Sequence, residues 1–321
     1  MVHPVMAKYL DPKNALTFKC VFGEHEHLCI SLLNALLPLE EGRPITSIQY
    51  MSPELLPRFD GGRNSIVDVR CTDAAGRQFI VEMQLYWTSA FQSRVLLNAA
   101  KAYVSQFTRE FRGENVYKLV EPVYALNLID DIFERSPEMA EEYYHHYKIV
   151  NVRHTEKRID GLELVFIELP KFRPSNRAER KLHDLWLRLL TEIRRTSDTA
   201  PAELLENTET REALSYLETA AYTPAQMAAY DIYLDWIMTE RAALADAEDT
   251  GVEKGRAEGR AEGRAEGEAI GIEKGKAAGI AEGERNAMLA VAAKALKNGL
   301  PIEAIRDMTG LGDDDIRMLK P

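Results

Sequence analysis

The chain has 321 residues, 45% of them hydrophobic, enough for one large domain or two ordinary ones with a real core. Its formal net charge of −11 excludes indiscriminate nucleic-acid binding, which needs Lys and Arg to neutralise phosphates, so any DNA contact must be local. No apolar run reaches the roughly 18–20 residues of a membrane span and MVHPVMAKYL lacks the features of a signal peptide, so a cytoplasmic protein with no membrane partner is expected.

Residues 11–37 place Phe18, Phe22, Leu28, Leu32, Leu33 and Leu36 at helical spacing, which predicts a core helix nicked near Gly23 and ended by Pro38. His25 and His27 stand two apart and point away from each other on a helix, so they read as a polar helix start rather than a metal pair. Cys20, Cys29 and Cys71 have no CxxC spacing and fall in apolar stretches, as reduced core thiols do. A strand is expected over residues 45–50, then a long surface loop over 51–65.

The central stretch is SIVDVRCTDAAGRQFIVEMQL, where two alternating β-branched runs flank Asp73-Ala74-Ala75-Gly76-Arg77. This predicts a hairpin with Gly76 at the left-handed position and Asp73 paired with Arg77. Antiparallel pairing then sets Asp68 opposite Glu82 and Ile66 opposite Gln84. Val67, Val69, Cys71, Phe79, Val81, Met83 and Leu85 take one face, and Asp68, Arg70, Glu82 and Gln84 take the other. Two carboxylates held close on rigid elements repel each other and suggest a cation between them. The polar outer face of an ordinary sheet would alternate in the same way.

A long helix is predicted over residues 91–111, with Val95, Ala99, Ala102, Tyr103, Gln106 and Phe107 on one face and Gly113 as its stop. The near-continuous apolar run at 122–129 reads as a strand buried on both sides, and further strands are expected at 146–152 and 162–169. The fold class is therefore α/β, helices flanking a mixed sheet.

The motifs TFKCVFG, LLNALL, IVDVRC with its DAAGRQF turn, IVEMQ, a helix bearing Arg94, Tyr103 and Gln106, and GENVYKLVEPVYAL together resemble the PD-(D/E)XK nuclease-like transposases. That family is also known as the recombination-promoting nucleases, or Rpn. The resemblance covers roughly residues 11–170 and implies a restriction-endonuclease-like core and metal-dependent DNA cleavage. It maps the family's acidic pair onto Asp68 and Glu82 and its third position onto Gln84, where the wider superfamily has Lys. The implied mechanism has Asp68, Glu82 and the main-chain carbonyl of Met83 holding Mg²⁺ (or Mn²⁺ or Ca²⁺), with Gln84 orienting the attacking water. The alternative is a catalytically weak or inactive DNA-binding or assembly protein that keeps the fold.

Residues 171–246 are helical in pattern, an annex to a core of residues 1–170. Within it residues 171–195 carry eight basic against three acidic residues, the best local patch for DNA, although a solvated helix face explains it as well. Pro201 and Pro224 mark helix starts. Nine glycines then recur at a period of four from Gly251 to Gly283, within a segment of residues 247–285. Each costs a helix about 1 kcal/mol relative to Ala, and Arg256, Arg260 and Arg264 repel along one line as Glu258, Glu262 and Glu266 do along another. Either the segment is a flexible linker, or it is a helix whose small residues admit a close partner, which would make the protein a homo-oligomer. Residues 286–321 read as a small helical module laid out like a helix-turn-helix, beginning with a short alanine-rich helix over 287–297. Asp313, Asp314 and Asp315 at its last helix favour docking to protein over reading DNA.

Overall fold

Asn14 opens the fold by capping its first helical turn, accepting from the Leu16 amide at 2.9 Å. The computed structural model describes residues 8–55, 65–107, 116–174 and 181–319, and the chain divides into two compact units, Met1–Thr239 and Glu240–Pro321. The predicted first helix is α1 (Ala15–Phe18), a wide π-helical turn at Lys19–Gly23, and α2 (Glu26–Leu36), so the nick falls where Gly23 stands.

Strand β1 (Ile48–Tyr50) leads to β2 (Glu54–Leu55), which pairs with β3 (Ser65–Ile66) in a ribbon of its own. The expected loop over 51–65 therefore contains short strands, and its residues 56–64 lie outside the described residues. Strands β4 (Val69–Asp73) and β5 (Gln78–Gln84) form the predicted hairpin in the predicted register, Val69 with Val81 and Thr72 with Gln78. Asp73 accepts from Arg77 Nε at 2.7 Å, and Gly76 takes φ 88°. Helix α3 (Ser89–Ser105) follows, then β6 (Val123–Ile129), β7 (Tyr144–Asn151) and β8 (His154–Glu168). The end expected for α3 near Gly113 lies outside the described residues.

These strands make a six-stranded sheet of order β1-β4-β5-β6-β8-β7, in which β5, β6 and β8 run parallel and the outer pairs antiparallel. Every residue of β6 is buried, as a central parallel strand requires. Helix α3 covers one face through Phe91, Val95 and Ala99 against Ile80, Ala125 and Phe166. The opposite face packs Val81 and Leu126 against Phe18, Phe22 and Leu32 together with helices α4 (Lys181–Glu192), α5 (Ala202–Glu206) and α6 (Thr208–Leu217). Trp186 of α4 is fully buried there, donating to Ser31 Oγ at 3.1 Å.

Two expectations for the hairpin are corrected. The ladder stops at Val69, so within it Asp68 does not oppose Glu82, nor Ile66 Gln84; Asp68 lies just beyond its end and Ile66 pairs with Glu54 instead. Because the chain turns out of the sheet at Asp68, Val67 packs under α3 rather than on the Val69 face. Helix α7 (Pro224–Lys297) then runs unbroken through the glycine repeat and the alanine-rich stretch, which is thus no separate helix. In the second unit its last turns pack on α8 (Ile302–Thr309) and α9 (Asp313–Arg317) through Ala292, Ile305 and Ile316. Asp313, Asp314 and Asp315 occupy the first turn of α9, where carboxylates favour the helix dipole.

Candidate active site

Strand β5 sends Glu82 and Gln84 to the same face, the one roofed by α3. Glu82 is 6% exposed, so this face is not the solvated outer surface that alternation alone would allow. Asp68, just past the end of the ladder, turns its carboxylate to the Met83 amide, and Oδ2 accepts from it at 2.6 Å. A residue in an extended strand aims its N–H and carbonyl at the same neighbour, so the Met83 carbonyl also faces the side where Asp68 lies.

Burial raises both acids. Asp68 is pushed up by burial, offset by the Met83 amide and the Arg94 charge. Glu82 is pushed up to about 8 by burial and then by Asp68, offset by Arg94 and by Asn98, whose Nδ2 donates to Oε1 at 3.1 Å. The unfolded chain releases this proton near 4.5, whereas the folded chain holds it to about 8. The contribution of Glu82 to the stability of the ion-free protein should therefore be full below pH 4.5 and be lost, by a few kcal/mol, as pH rises to about 8. Glu82→Gln should flatten that fall, as thermal melts across the range would show.

Gln84 is fixed at both ends of its carboxamide, with Nε2 donating to the Tyr86 carbonyl at 3.0 Å and Oε1 accepting from Arg94 Nη2 at 2.7 Å. Arg70 shares the strand face but pairs with neither acid; its Nη2 donates to Gln78 at 3.0 Å and Ser105 at 2.8 Å. Gln106 serves the fold, bonding both backbone groups of Glu121. The residue that sequence reasoning missed is Asn98. It is 1% exposed on the apolar side of α3, between Val95 and Ala99, and a polar residue in that stripe was the available signal.

Other candidates are placed elsewhere. His25 bonds the Cys20 carbonyl at 2.8 Å and His27 pairs with Glu212 at 3.0 Å, so neither serves a shared ion. In the basic stretch at 171–195, Lys171 pairs with Glu168, Arg188 with Glu192 and Arg195 with Asp231, so three of its eight basic residues are already matched. Arg177 and Arg180 lie outside the described residues. Among the described residues no three His, Cys, Asp or Glu side chains converge to hold a metal. An ion at Asp68 and Glu82 would take its remaining ligands from main chain, water or substrate, as Mg²⁺ commonly does. Two desolvated, mutually repelling carboxylates beside a main-chain oxygen suit such an ion.

A mixed sheet between helices, with an acidic pair at the open end of its first hairpin, defines an α/β core of nuclease type. The family model described as PD-(D/E)XK nuclease family transposase matches residues 12–247, well over half of the chain, and the chain belongs to that family. No curated protein and no solved structure matches this chain. Among the described residues no helix is long and apolar enough to cross a membrane.

Proposed function

We propose that this chain is a metal-dependent DNA endonuclease, related to the recombination-promoting nucleases and acting in the cytoplasm. The observation that carries the reading is the pairing of Asp68 with Glu82, two acids whose burial and mutual repulsion a cation would relieve. Membership of a nuclease family supports DNA as substrate. A hard divalent ion, Mg²⁺, Mn²⁺ or Ca²⁺, held by Asp68, Glu82 and the Met83 carbonyl, would polarise the scissile phosphate and lower the pKa of a water. Asn98 holds Glu82 in place, and Gln84 keeps one N–H and one carbonyl lone pair with which to orient that water.

Calorimetric titration of Mg²⁺ or Mn²⁺ beside a plasmid-nicking assay tests the reading, with one binding event per chain and nicking that EDTA stops as the expected result. A second reading, a DNA-binding or assembly protein of weak or no activity, draws on the double engagement of Gln84. Metal binding without cleavage would favour it.

The reading extends to a homo-oligomer formed through the glycine repeat. At each of the nine repeat glycines the space of an added methyl is open in the single chain. Alanine there should stabilise a lone helix by about 1 kcal/mol per site, but it would push apart two helices packed on their glycines. Light scattering of the full chain, a truncation after Ala245 and a Gly259→Ala, Gly263→Ala, Gly267→Ala triple variant should give a dimer, a monomer and a weakened dimer. Equal monomer masses for the first two at micromolar concentration would sink this extension.

A further inference from the structure

An acidic pair that is to work on a phosphate needs a positive charge facing it, and the described residues offer few. Arg70 is 7% exposed and is bonded to Gln78 and Ser105. Lys13, also 7% exposed, lies between Asp130 at 3.2 Å and Asp11 at 3.8 Å. Arg94 differs from both. It stands on α3 one turn before Asn98, so the helix matches the strand pair Glu82 and Gln84 with a pair of its own, Asn98 to Glu82 at 3.1 Å and Arg94 to Gln84 at 2.7 Å. Its guanidinium lies 4.9 Å over the ring of Phe91, a buried core residue, and Arg94 itself is exposed. Stacking and the Gln84 bond fix the plane of the group, while most of its five N–H donors stay available.

We propose that Arg94 is a substrate-contacting residue whose free guanidinium edge binds the DNA phosphate lying against Asp68 and Glu82. The proposal rests on the nuclease reading. Its charge already acts on both acids, opposing their burial. A planar fork can hold two oxygens of one phosphate, which the point charge of a Lys at this spot could not do with the same geometry. The same fork keeps Gln84 oriented, so one side chain would order the substrate and the residue that meets the water.

The test measures binding of a fluorescently labelled duplex by anisotropy in Ca²⁺ across a range of KCl, and single-turnover nicking in Mg²⁺, for the parent, Arg94→Ala, Arg94→Lys and Gln84→Ala. Arg94→Ala should weaken binding by about 10- to 100-fold, the scale of one charged hydrogen-bonded contact. It should also lower the slope of log K against log salt by about 0.9, the mark of one lost phosphate contact. Arg94→Lys should keep that slope and bind several-fold more weakly than the parent. Gln84→Ala should keep the slope as well, since it removes only the residue that Arg94 orients. An unchanged slope in Arg94→Ala would overturn the proposal and leave Arg94 as a positioning residue for Gln84. A parent that binds duplex without cutting it would remove the nuclease reading while the slopes still decide on Arg94, and a parent that binds no duplex would overturn both.

Discussion

Asp68→Ala should lose metal-dependent nicking of supercoiled plasmid by ~10³-fold or more, the scale of several kcal/mol of transition-state stabilisation that a bound metal supplies. The same change should leave the fold intact. Asp68 sits beyond the last pair of the β4–β5 ladder, and its removal relieves the repulsion that helps to raise Glu82. Asp68→Asn is the sharper companion, because it keeps an oxygen for the Met83 amide while removing the charge an ion needs. Calorimetry on both should show loss of divalent-ion binding while thermal melts stay cooperative. If either variant binds the ion and cuts like the parent, the acidic pair is not the site.

Glu168→Ala should cost the fold about 3–5 kcal/mol, as removing one partner from a buried charge cluster generally does. Glu168 is wholly buried at the end of β8 and has four partners. Oε1 accepts from the amides of Phe133 at 2.6 Å and Glu134 at 3.0 Å, and Oε2 from His145 Nε2 at 2.9 Å and Lys171 Nζ at 2.6 Å. Truncation takes the acceptor from all four donors, of which Lys171 keeps only the carbonyls of Glu134 and Met139. Urea denaturation should show a lower midpoint with an unchanged slope. Glu168→Gln, which keeps acceptor capacity, should be milder. A midpoint within error of the parent for the Ala variant would mean that the cluster is not as dry as its burial implies.

The hairpin was legible because its signals are local. A turn closed by Asp73, Gly76 and Arg77 leaves a single register for the alternating runs on either side, so Val69 meets Val81 as expected. The same logic failed three residues upstream of Val69. Alternation continues through Ile66, but tertiary pairing with β2 draws that residue away, and nothing in residues 65–68 announces where the strand yields. That Asp68 and Glu82 come near each other was legible from the hairpin, and the roles that the resemblance implies for them are those proposed above. The environment of the pair was not legible, because both faces of the sheet are covered and the roof is a helix whose contribution lies in one misplaced-looking Asn. The cluster around Glu168 stayed invisible for a related reason: His145, Lys171 and the 133–134 amides meet only once β7, β8 and the loop after β6 have assembled. In the repeat, sequence arithmetic left helix and linker open, and the chain forms one continuous helix through it.

The bond from the Met83 amide to Asp68 ties a backbone proton to the state of a proposed metal ligand. Along the rest of β5 the amides facing β4 belong to the strand ladder, so their hydrogen exchange reports the opening of the sheet. The Met83 amide instead reports a single carboxylate. Its exchange rate should rise in Asp68→Ala while those of Val81 and Phe79 hold steady, and it should shift on titration with a divalent ion if the carboxylate reorients to meet it. One resonance in a nitrogen-15 spectrum would thereby follow occupancy of the acidic pair without DNA and without turnover.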